Sequence, residues 1–191
     1  MRSTPDLHAS DTPEAVRVPA VTYVSVAGSG SPGTDEFYRK MALISDITRQ
    51  VTEEDSPVVE IQYWYPEGST PVEIADFYSV NPVPSLEYRI LAAVPAATSS
   101  ADLNAARARA RSSADRAEDV IGVHNTPEQD VVQVMHHGPF AEEFATLERL
   151  GDLARELGVR RNGPHHELHL DAFTRETPQD SLRTILRDPV A

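Results

Sequence analysis

The sequence repeats one order of predicted elements, and this repeat constrains the fold more than any other feature. In the first half, alternation and helical spacing predict a strand, a helix and two strands over residues 21–28, 34–51, 58–66 and 86–94. In the second half, the same order is predicted over residues 129–138, 139–158, 165–173 and 182–190. Two such units give an α+β protein with antiparallel sheets, related by a pseudo-twofold axis.

The two halves also correspond at individual residues. Gly28 aligns with Gly138, and "VVEIQYW" aligns with "HHELHLD", which sets Glu60 opposite Glu167. Ligand sites occur most often in clefts between such units. We therefore expect a ligand to bind in a central cleft between the two repeats.

The repeats also set the domain boundaries. Residues 1–17 are polar and contain two prolines, which predicts a disordered lead-in. Residues 18–190 then form a single domain, with the first repeat at about 18–98 and the second at about 120–190.

Two further segments complete the predicted organisation. The stretch "SSADLNAARARARSSADRAED", residues 99–119, predicts a polar helix between the repeats. Residues 67–85 form a long, proline-rich loop without a clear period. Loops of that length often carry function, and at this point it is open whether this one is a lid over the cleft.

Charge and cysteine content exclude several classes of function. The net charge of −13 argues against nucleic acid and against anionic membrane surfaces, and it suits a neutral or cationic small ligand. The absence of cysteine excludes disulfides, a thiol nucleophile and thiolate metal sites. No apolar run reaches the roughly 20 residues that span a bilayer, and the N-terminus lacks a signal-peptide pattern. A cytoplasmic location is the default expectation.

The stretch "PHHELHL", residues 164–170, is the first candidate site. A zinc-protease helix needs His-Glu-x-x-His, and here the spacing is one residue short. Alternation instead predicts a strand that places His165, Glu167 and His169 on one face. Three interpretations remain open: a solvated sheet edge, a metal site on the strand, and a carboxylate in a pocket with histidine neighbours.

The stretch "VVEIQYWYP", residues 58–66, raises the same question. Alternation places Glu60 and Trp64 on one face of this strand. Aromatic rings beside a carboxylate bind flat or cationic ligands by stacking and cation–π contact. A half-buried strand whose tryptophan belongs to the core is the alternative.

Four stretches resemble GyrI-like small-molecule-binding proteins. "GPHHELHLDAFTRETPQDSLRTILRDPV" resembles the family's His-His-Glu-(Ile/Leu)-Tyr-Leu strand and its final Leu-x-Thr-Ile-(Leu/Ile)-Arg-x-Pro-Val. "VTYVSVAGSGSPGTDEFYRKM" resembles the first strand with its Gly-x-Gly-x-Pro turn. "VVEIQYW" resembles the Leu-Glu-Gly-x-Trp-Trp strand, and "HHGPFAEEFATLERL" resembles the His-x-Gly-Pro-Tyr helix start. The resemblance covers about residues 18–190.

The resemblance implies two strand–helix–strand–strand units around a hydrophobic cleft with a buried glutamate. Relatives include effector domains of multidrug-sensing regulators. Some single-domain members hydrolyse strained cyclopropanes in DNA-alkylating natural products and so protect the producing cell. By motif position, Glu167 is the cleft carboxylate, Glu60 and Trp64 match the Leu-Glu-Gly-x-Trp-Trp strand, and Tyr63 stands at its first tryptophan position.

Two positions depart from the family pattern. His169 stands where the His-His-Glu strand carries tyrosine, and Phe140 stands where Gly-Pro-Tyr carries tyrosine. Either tyrosine is a candidate for the acid that protonates a leaving oxygen. The replacements imply a changed catalyst, a changed ligand, or binding without turnover.

The expected function is therefore hydrolytic opening of a cyclopropane in an apolar or aromatic electrophile. Glu167 would orient or deprotonate the water, and His169 or a tyrosine would donate a hydrogen bond to the oxygen that gains charge, with Glu60 as the third catalytic candidate. The candidate ligand contacts are Trp64, Tyr63, Phe140, Tyr88, His165 and Phe37. This mechanism needs no metal and no cofactor.

The expected partner is a small molecule that is apolar, aromatic or cationic, and we expect a monomer or a weak dimer without nucleic-acid or membrane partners. The alternative function is non-catalytic: drug sequestration, or effector sensing for another protein. Inhibition of a topoisomerase by direct contact is a third possibility, and it rests on analogy with the family's name-giving member alone.

Overall fold

One sheet organises the computed structural model, which describes residues 2–3 and 6–191. Its strands are β1 (Arg2–Ser3), β2 (Glu14–Val18), β3 (Val21–Ser29), β4 (Val59–Trp64), β5 (Glu87–Ala93), β6 (Ile121–Thr126), β7 (Gln129–His137), β8 (His165–His169) and β9 (Arg183–Pro189). Their order across the sheet is β1-β2-β7-β9-β8-β4-β5-β3-β6. Strands β2 to β9 pair antiparallel throughout, and β1 pairs parallel to β2.

Three helices among the described residues accompany the sheet: α1 (Asp35–Thr52), α2 (Ser100–Ala110) and α3 (Glu143–Leu157). Thr34 caps α1 by accepting from the Phe37 N–H, and Ser99 forms a capping box with Asp102 at the start of α2. Helix α2 is shorter than the predicted 99–119 because Arg111 adopts the left-handed conformation and ends it. Helix α3 begins after a short 3₁₀ turn over Phe140–Glu142.

The sheet confirms the tandem repeat. The first repeat supplies β3, β4 and β5, and the second supplies β7, β8 and β9. In the order β7-β9-β8-β4-β5-β3, the first strand of each repeat lies farthest from the centre and the second strand lies at the centre. Strands β8 and β4 are therefore neighbours at the centre, and they are the two strands that carry Glu167 and Glu60. This is the GyrI-like α+β arrangement that the sequence predicts.

Two strands that the sequence analysis missed exchange partners between the repeats. Strand β2 precedes the first repeat but pairs with β7 of the second, and β6 precedes the second repeat but pairs with β3 of the first. Only residues 19–20 connect β2 to β3, and only residues 127–128 connect β6 to β7. Because such a connection spans roughly 10 Å at most, the sheet must curl until its two ends approach each other.

The two faces of the curled sheet have different partners. Val59, Ile61 and Tyr63 face α1 and α2, where they join the main apolar core. Helix α3 covers the same face over the second repeat, where Leu147 and Leu150 pack on the sheet. Alternate residues of β4 and β8 point to the opposite face, which the N-terminal segment covers.

That covering segment corrects one prediction. Residues 14–17 belong to strand β2, so the predicted disorder over residues 1–17 is wrong for them. Ahead of β2, the carbonyl of Ser10 accepts from the Met135 N–H at 2.8 Å, and Ala9 is buried against Leu168. Residues 1, 4 and 5 of the predicted segment lie outside the described residues.

Candidate functional site

An aromatic cleft of about 380 Å³ opens between α1 and the start of α3, above the central strands β4 and β8. Both repeats and the 67–85 loop contribute rings to it, so the cleft lies where the repeat predicts a ligand site. The lining rings are those of Phe37, Tyr38, Tyr63, Tyr78, Phe140, Phe144 and Phe173. Stacking and apolar contact are the interactions that such a wall offers to a ligand.

Glu167 lies at the base of this cleft. It pairs with Ile61 across the sheet, so it projects toward the helices together with His165 and His169, as the alternation of "PHHELHL" predicts. The hydroxyl of Tyr78 donates to Oε1 of Glu167 at 2.6 Å. His169 Nε2 lies 3.4 Å from Oε2, and His165 Nε2 lies 3.8 Å from Oε1.

A second buried acid contacts the ring nitrogen of His165 that does not face Glu167. Asp188 on β9 contacts His165 Nδ1 at 2.9 Å, and both side chains are fully buried. Burial lowers the pKa of His165, but the Asp188 carboxylate outweighs burial and raises it. In the resulting Asp188–His165–Glu167 row, the Asp188 carboxylate favours the protonated form of His165 beside the cleft carboxylate.

These neighbours decide the charge of Glu167. Burial alone would raise the pKa of this carboxyl group, because a low dielectric disfavours the ionised form. His169, His165 and the Tyr78 hydroxyl outweigh burial and hold the pKa of Glu167 below its usual value. The cleft therefore contains an ionised carboxylate among apolar rings.

Glu143 is a second cleft carboxyl group, and it is not among the candidate residues of the sequence analysis. Its side chain is buried, lines the cleft and contacts the side chain of Glu167. Burial and the negative charge of Glu167 raise the pKa of Glu143 well above its usual value. A sequence signal existed, because Glu143 stands four residues before Leu147 on the apolar stripe of α3.

Glu60 lies on the other face of the sheet. It pairs with Leu168 rather than with Glu167, so its side chain points away from the cleft. Tyr23 donates to its Oε2 at 2.7 Å, and His166 Nδ1 contacts its Oε1 at 2.7 Å. Burial raises the pKa of Glu60, but His166 and Tyr23 outweigh burial and lower it to about 2. The predicted equivalence of Glu60 and Glu167 does not extend to their positions.

Trp64 shares that other face with Glu60 and does not line the cleft. It sits at the end of β4, where its Nε1 donates to Glu87 at 2.5 Å and the Arg89 guanidinium lies 5.4 Å from the ring centre. By contrast, Tyr63, Phe140 and Phe37 do line the cleft.

Tyr88 and His165 lie one layer below the cleft wall. The Tyr88 ring packs 5.4 Å from Phe37 and 6.4 Å from Tyr63. It also explains Gly28, because a Cβ at that position would lie 2.4 Å from the Tyr88 ring. His165 lies beneath Tyr78, with ring centres 5.8 Å apart. Both residues therefore support groups that line the cleft.

The two positions that depart from the family pattern are neighbours in space. The rings of His169 and Phe140 lie 5.4 Å apart, and Phe173 contacts both, at 4.8 Å from His169 and 5.0 Å from Phe140. A histidine and a phenylalanine thus stand together at one place in the cleft, at the two positions where the resembling family pattern has tyrosines.

Two other classes of site find no support in the described part of the chain. Among residues 6–191, no cluster of three or more histidine or acidic side chains is arranged to hold a metal ion. None of the helices within the described residues has the length and apolar character to cross a membrane.

Comparisons with known proteins agree on the fold. An uncharacterised conserved protein from Listeria innocua superposes with a TM-score of 0.76 at 22% identity, over 96% of this chain and 94% of that one. A hydrolase from Listeria innocua gives 0.74 at 20% identity, over 97% and 94%. SAV2435 bound to tetraphenylphosphonium gives 0.52 at 13% identity, over 94% and 93%.

Sequence comparisons add no relative. No protein-family model matches the chain, and no curated protein sequence matches it either. At the identities found, the structural likenesses show the fold alone, an α+β arrangement that matches the GyrI-like fold, and they leave the activity to the site itself.

Proposed function

We propose that this protein binds a hydrophobic, aromatic electrophile in the central cleft and opens a cyclopropane in it by adding water. One observation carries the proposal: an ionised glutamate, Glu167, lies buried among aromatic rings with hydrogen-bond donors beside it. A carboxylate in that setting can activate a water molecule, and the rings can hold a flat electrophile above it.

The proposed reaction balances without a cofactor. A water oxygen attacks a ring carbon of the cyclopropane while Glu167 accepts the water proton. The breaking carbon–carbon bond sends its electron pair through a conjugated system to a carbonyl oxygen, which becomes an alkoxide or phenoxide. His169 or the Tyr78 hydroxyl donates a hydrogen bond to that oxygen, which is then protonated. The product is the ring-opened alcohol.

Two comparisons support parts of this proposal. A structural relative from Listeria innocua is named a hydrolase, which agrees with a hydrolytic role for the same fold. The family resemblance adds the class of substrate, the strained cyclopropanes of DNA-alkylating natural products. On this proposal, the protein acts in the cytoplasm and destroys the alkylator before it reaches DNA.

The direct test is a search for water addition. The purified protein is incubated with a panel of cyclopropane-bearing alkylators, and mass spectrometry follows each compound. We expect a product heavier than the substrate by one water, formed faster than in buffer. If every compound is recovered at the rate seen in buffer, the catalytic proposal fails.

The second candidate is binding without turnover, for sequestration or effector sensing. The specific observation is the combination of two carboxyl groups, Glu143 and Glu167, with an aromatic wall, which suits a lipophilic cation. SAV2435, a structural relative, is bound to tetraphenylphosphonium. Calorimetry with tetraphenylphosphonium, followed by recovery of the intact compound, would support this alternative.

A further inference from the structure

We propose that Glu143 is the acid that works with Glu167: it protonates the oxygen that gains charge, and it recovers its proton directly from Glu167 afterwards. This inference rests on the proposed hydrolysis and adds to it a second catalytic residue. It also explains how the chain can lack both tyrosines that the family pattern offers as acids.

The geometry is the first support. Glu143 lines the same cleft as Glu167, its side chain is 5% exposed, and the two side chains contact each other. Two carboxyl groups can form a hydrogen bond only if one of them keeps its proton. Within residues 6–191, Oε1 of Glu143 is buried and has no hydrogen-bond partner, so the protein leaves this polar atom of the cleft acid unsatisfied.

The surroundings decide which carboxyl group keeps the proton. Glu167 receives the Tyr78 hydroxyl and faces His169 and His165, all of which favour its ionised form. Burial, and then the negative charge of Glu167, disfavour ionisation of Glu143, which lines the aromatic cleft. Like charges in contact cannot both ionise readily, so the proton resides on Glu143.

The helix end opposes this assignment but does not overturn it. Helix α3 begins at Glu143, and a helix N-terminus favours a negative side chain. Burial and the Glu167 carboxylate act in the other direction and raise the pKa of Glu143 well above its usual value. Their net effect favours the protonated form of Glu143.

The catalytic cycle then closes within the pair. Glu167 takes one proton from the attacking water, and Glu143 gives its proton to the oxygen that received the electron pair of the broken bond. At this stage Glu167 carries a proton and Glu143 carries the negative charge. Transfer of that proton across their hydrogen bond restores the starting state, so one water is consumed and no other reagent is needed.

The test compares two adjacent glutamates at the start of α3. Glu143→Gln keeps the shape and a hydrogen-bond donor to Glu167 but has no proton to give, whereas Glu142→Gln alters an exposed neighbour. We expect Glu143→Gln to lower kcat by roughly 10²–10⁴ with little change in KM, and Glu142→Gln to leave both unchanged. Glu143→Asp should recover part of the rate.

The pH profile adds a readout that a structural role would not move. Because the acid must be protonated, wild-type kcat should fall as pH rises through the raised pKa of Glu143, and Glu143→Gln should lose this limb. The groups that face Glu143 are Glu167 and His169 from β8, Tyr63 from β4 and Tyr78 from the loop. Equal rates or equal pH profiles for wild type and Glu143→Gln would overturn the inference.

Infrared spectroscopy separates this inference from the proposed function. The free protein should show a protonated carboxyl band near neutral pH that persists in Glu142→Gln and disappears in Glu143→Gln. If the wild type lacks the band, the proton assignment is wrong whatever the activity. If the band is present but no electrophile is opened, the proposed hydrolysis fails, and the acid role fails with it.

Discussion

Two buried glutamates lie on neighbouring central strands, and they project from opposite faces of the sheet. Glu60 is 3% exposed and Glu167 is 6% exposed, and each has a histidine and a tyrosine beside it. On the Glu60 side, Tyr23, His166 and Gln62 all contact the carboxylate. By composition alone, either cluster could serve as an active site.

The difference between them lies in what remains unpaired. Within residues 6–191, the buried polar atoms without a hydrogen-bond partner include Glu143 Oε1, His165 Nε2 and His169 Nε2, and all three belong to the Glu167 side. Most buried polar groups in proteins are paired, so unpaired ones need a reason. Of these three residues, Glu143 and His169 line the cleft, so a ligand or a water that displaces their present neighbours would supply partners for their unpaired atoms.

The N-terminal segment closes the Glu60 side. Asp6 forms an ion pair with Arg187 at 2.7 Å, and the His8 carbonyl accepts from Gln133 at 2.8 Å. Arg187 in turn donates to Gln133 at 2.9 Å, which joins the segment to the interior of the curled sheet. We therefore infer that the Glu60 cluster stabilises the fold and that the Glu167 cluster acts on the ligand.

The largest expected effect is on activity. Glu167→Gln should lower the rate of cyclopropane opening by roughly 10²–10⁴, because it removes the base that activates water. Glu60→Gln, measured on the folded fraction, should keep the wild-type rate. Product formation by mass spectrometry at saturating substrate checks both. A fully active Glu167→Gln would sink the mechanism, and an inactive but folded Glu60→Gln would contradict the division between the two faces.

The second-largest expected effect is on the free energy of unfolding, which Glu60→Gln should lower more than Glu167→Gln does. Glu60→Gln removes the buried carboxylate that His166 and Tyr23 contact, and a buried polar group that loses its partner costs about 1–3 kcal/mol, or more where a charged group is involved. Glu167→Gln should cost under about 2 kcal/mol, because the amide oxygen can still accept from Tyr78 and from the protonated Glu143. Urea denaturation at neutral pH measures both free energies of unfolding. Equal losses would mean that both clusters serve the fold alike.

The two faces should also respond to pH in opposite directions. The pKa of Glu60 falls from 4.5 to about 2 on folding, so the stability it contributes is complete above about 4.5 and is lost as pH falls toward 2. The pKa of Glu143 rises from 4.5, so its contribution is complete below that value and is lost as pH rises through the folded pKa. Unfolding curves across pH should show Glu60→Gln flattening the acid limb and Glu143→Gln flattening the upper one. The reverse assignment would contradict the charge states given for both faces.

The division between the faces also shows how far the sequence could be read. The repeat order, and the face of β8 that carries Glu167, follow from local periodicity, and the structure contains both. The position of Glu60 could not be predicted, because the side-chain period of a strand is two residues and a shift of one residue reverses every side chain. Aligning Glu60 with Glu167 assumed one register, and the sheet uses another, with Glu60 opposite Leu168.

Other features depended on long-range pairing. Strand β2 precedes the first repeat but pairs with the second, and β6 precedes the second repeat but pairs with the first. No local pattern specifies such an exchange. The sequence does indicate Glu143, because this residue continues the apolar stripe of α3. A glutamate at that position is, however, readily assigned to the acidic residues that favour helix starts. Tyr78 comes from a loop whose sequence has no period, and only the folded chain brings it to Glu167.

The smallest expected effect tests two adjacent residues of β4 that point to opposite faces. Trp64→Phe removes the hydrogen bond to Glu87 outside the cleft, so it should cost about 1 kcal/mol of stability and leave the affinity for tetraphenylphosphonium unchanged. Tyr63→Leu removes a ring from the cleft wall and should weaken that affinity by up to about tenfold, as expected for an aromatic contact worth about 0.5–1.5 kcal/mol. Calorimetry measures both affinities. If Trp64→Phe weakens binding as much as Tyr63→Leu does, then the ligand reaches the Glu60 face, and the two glutamates would have to be considered as one site.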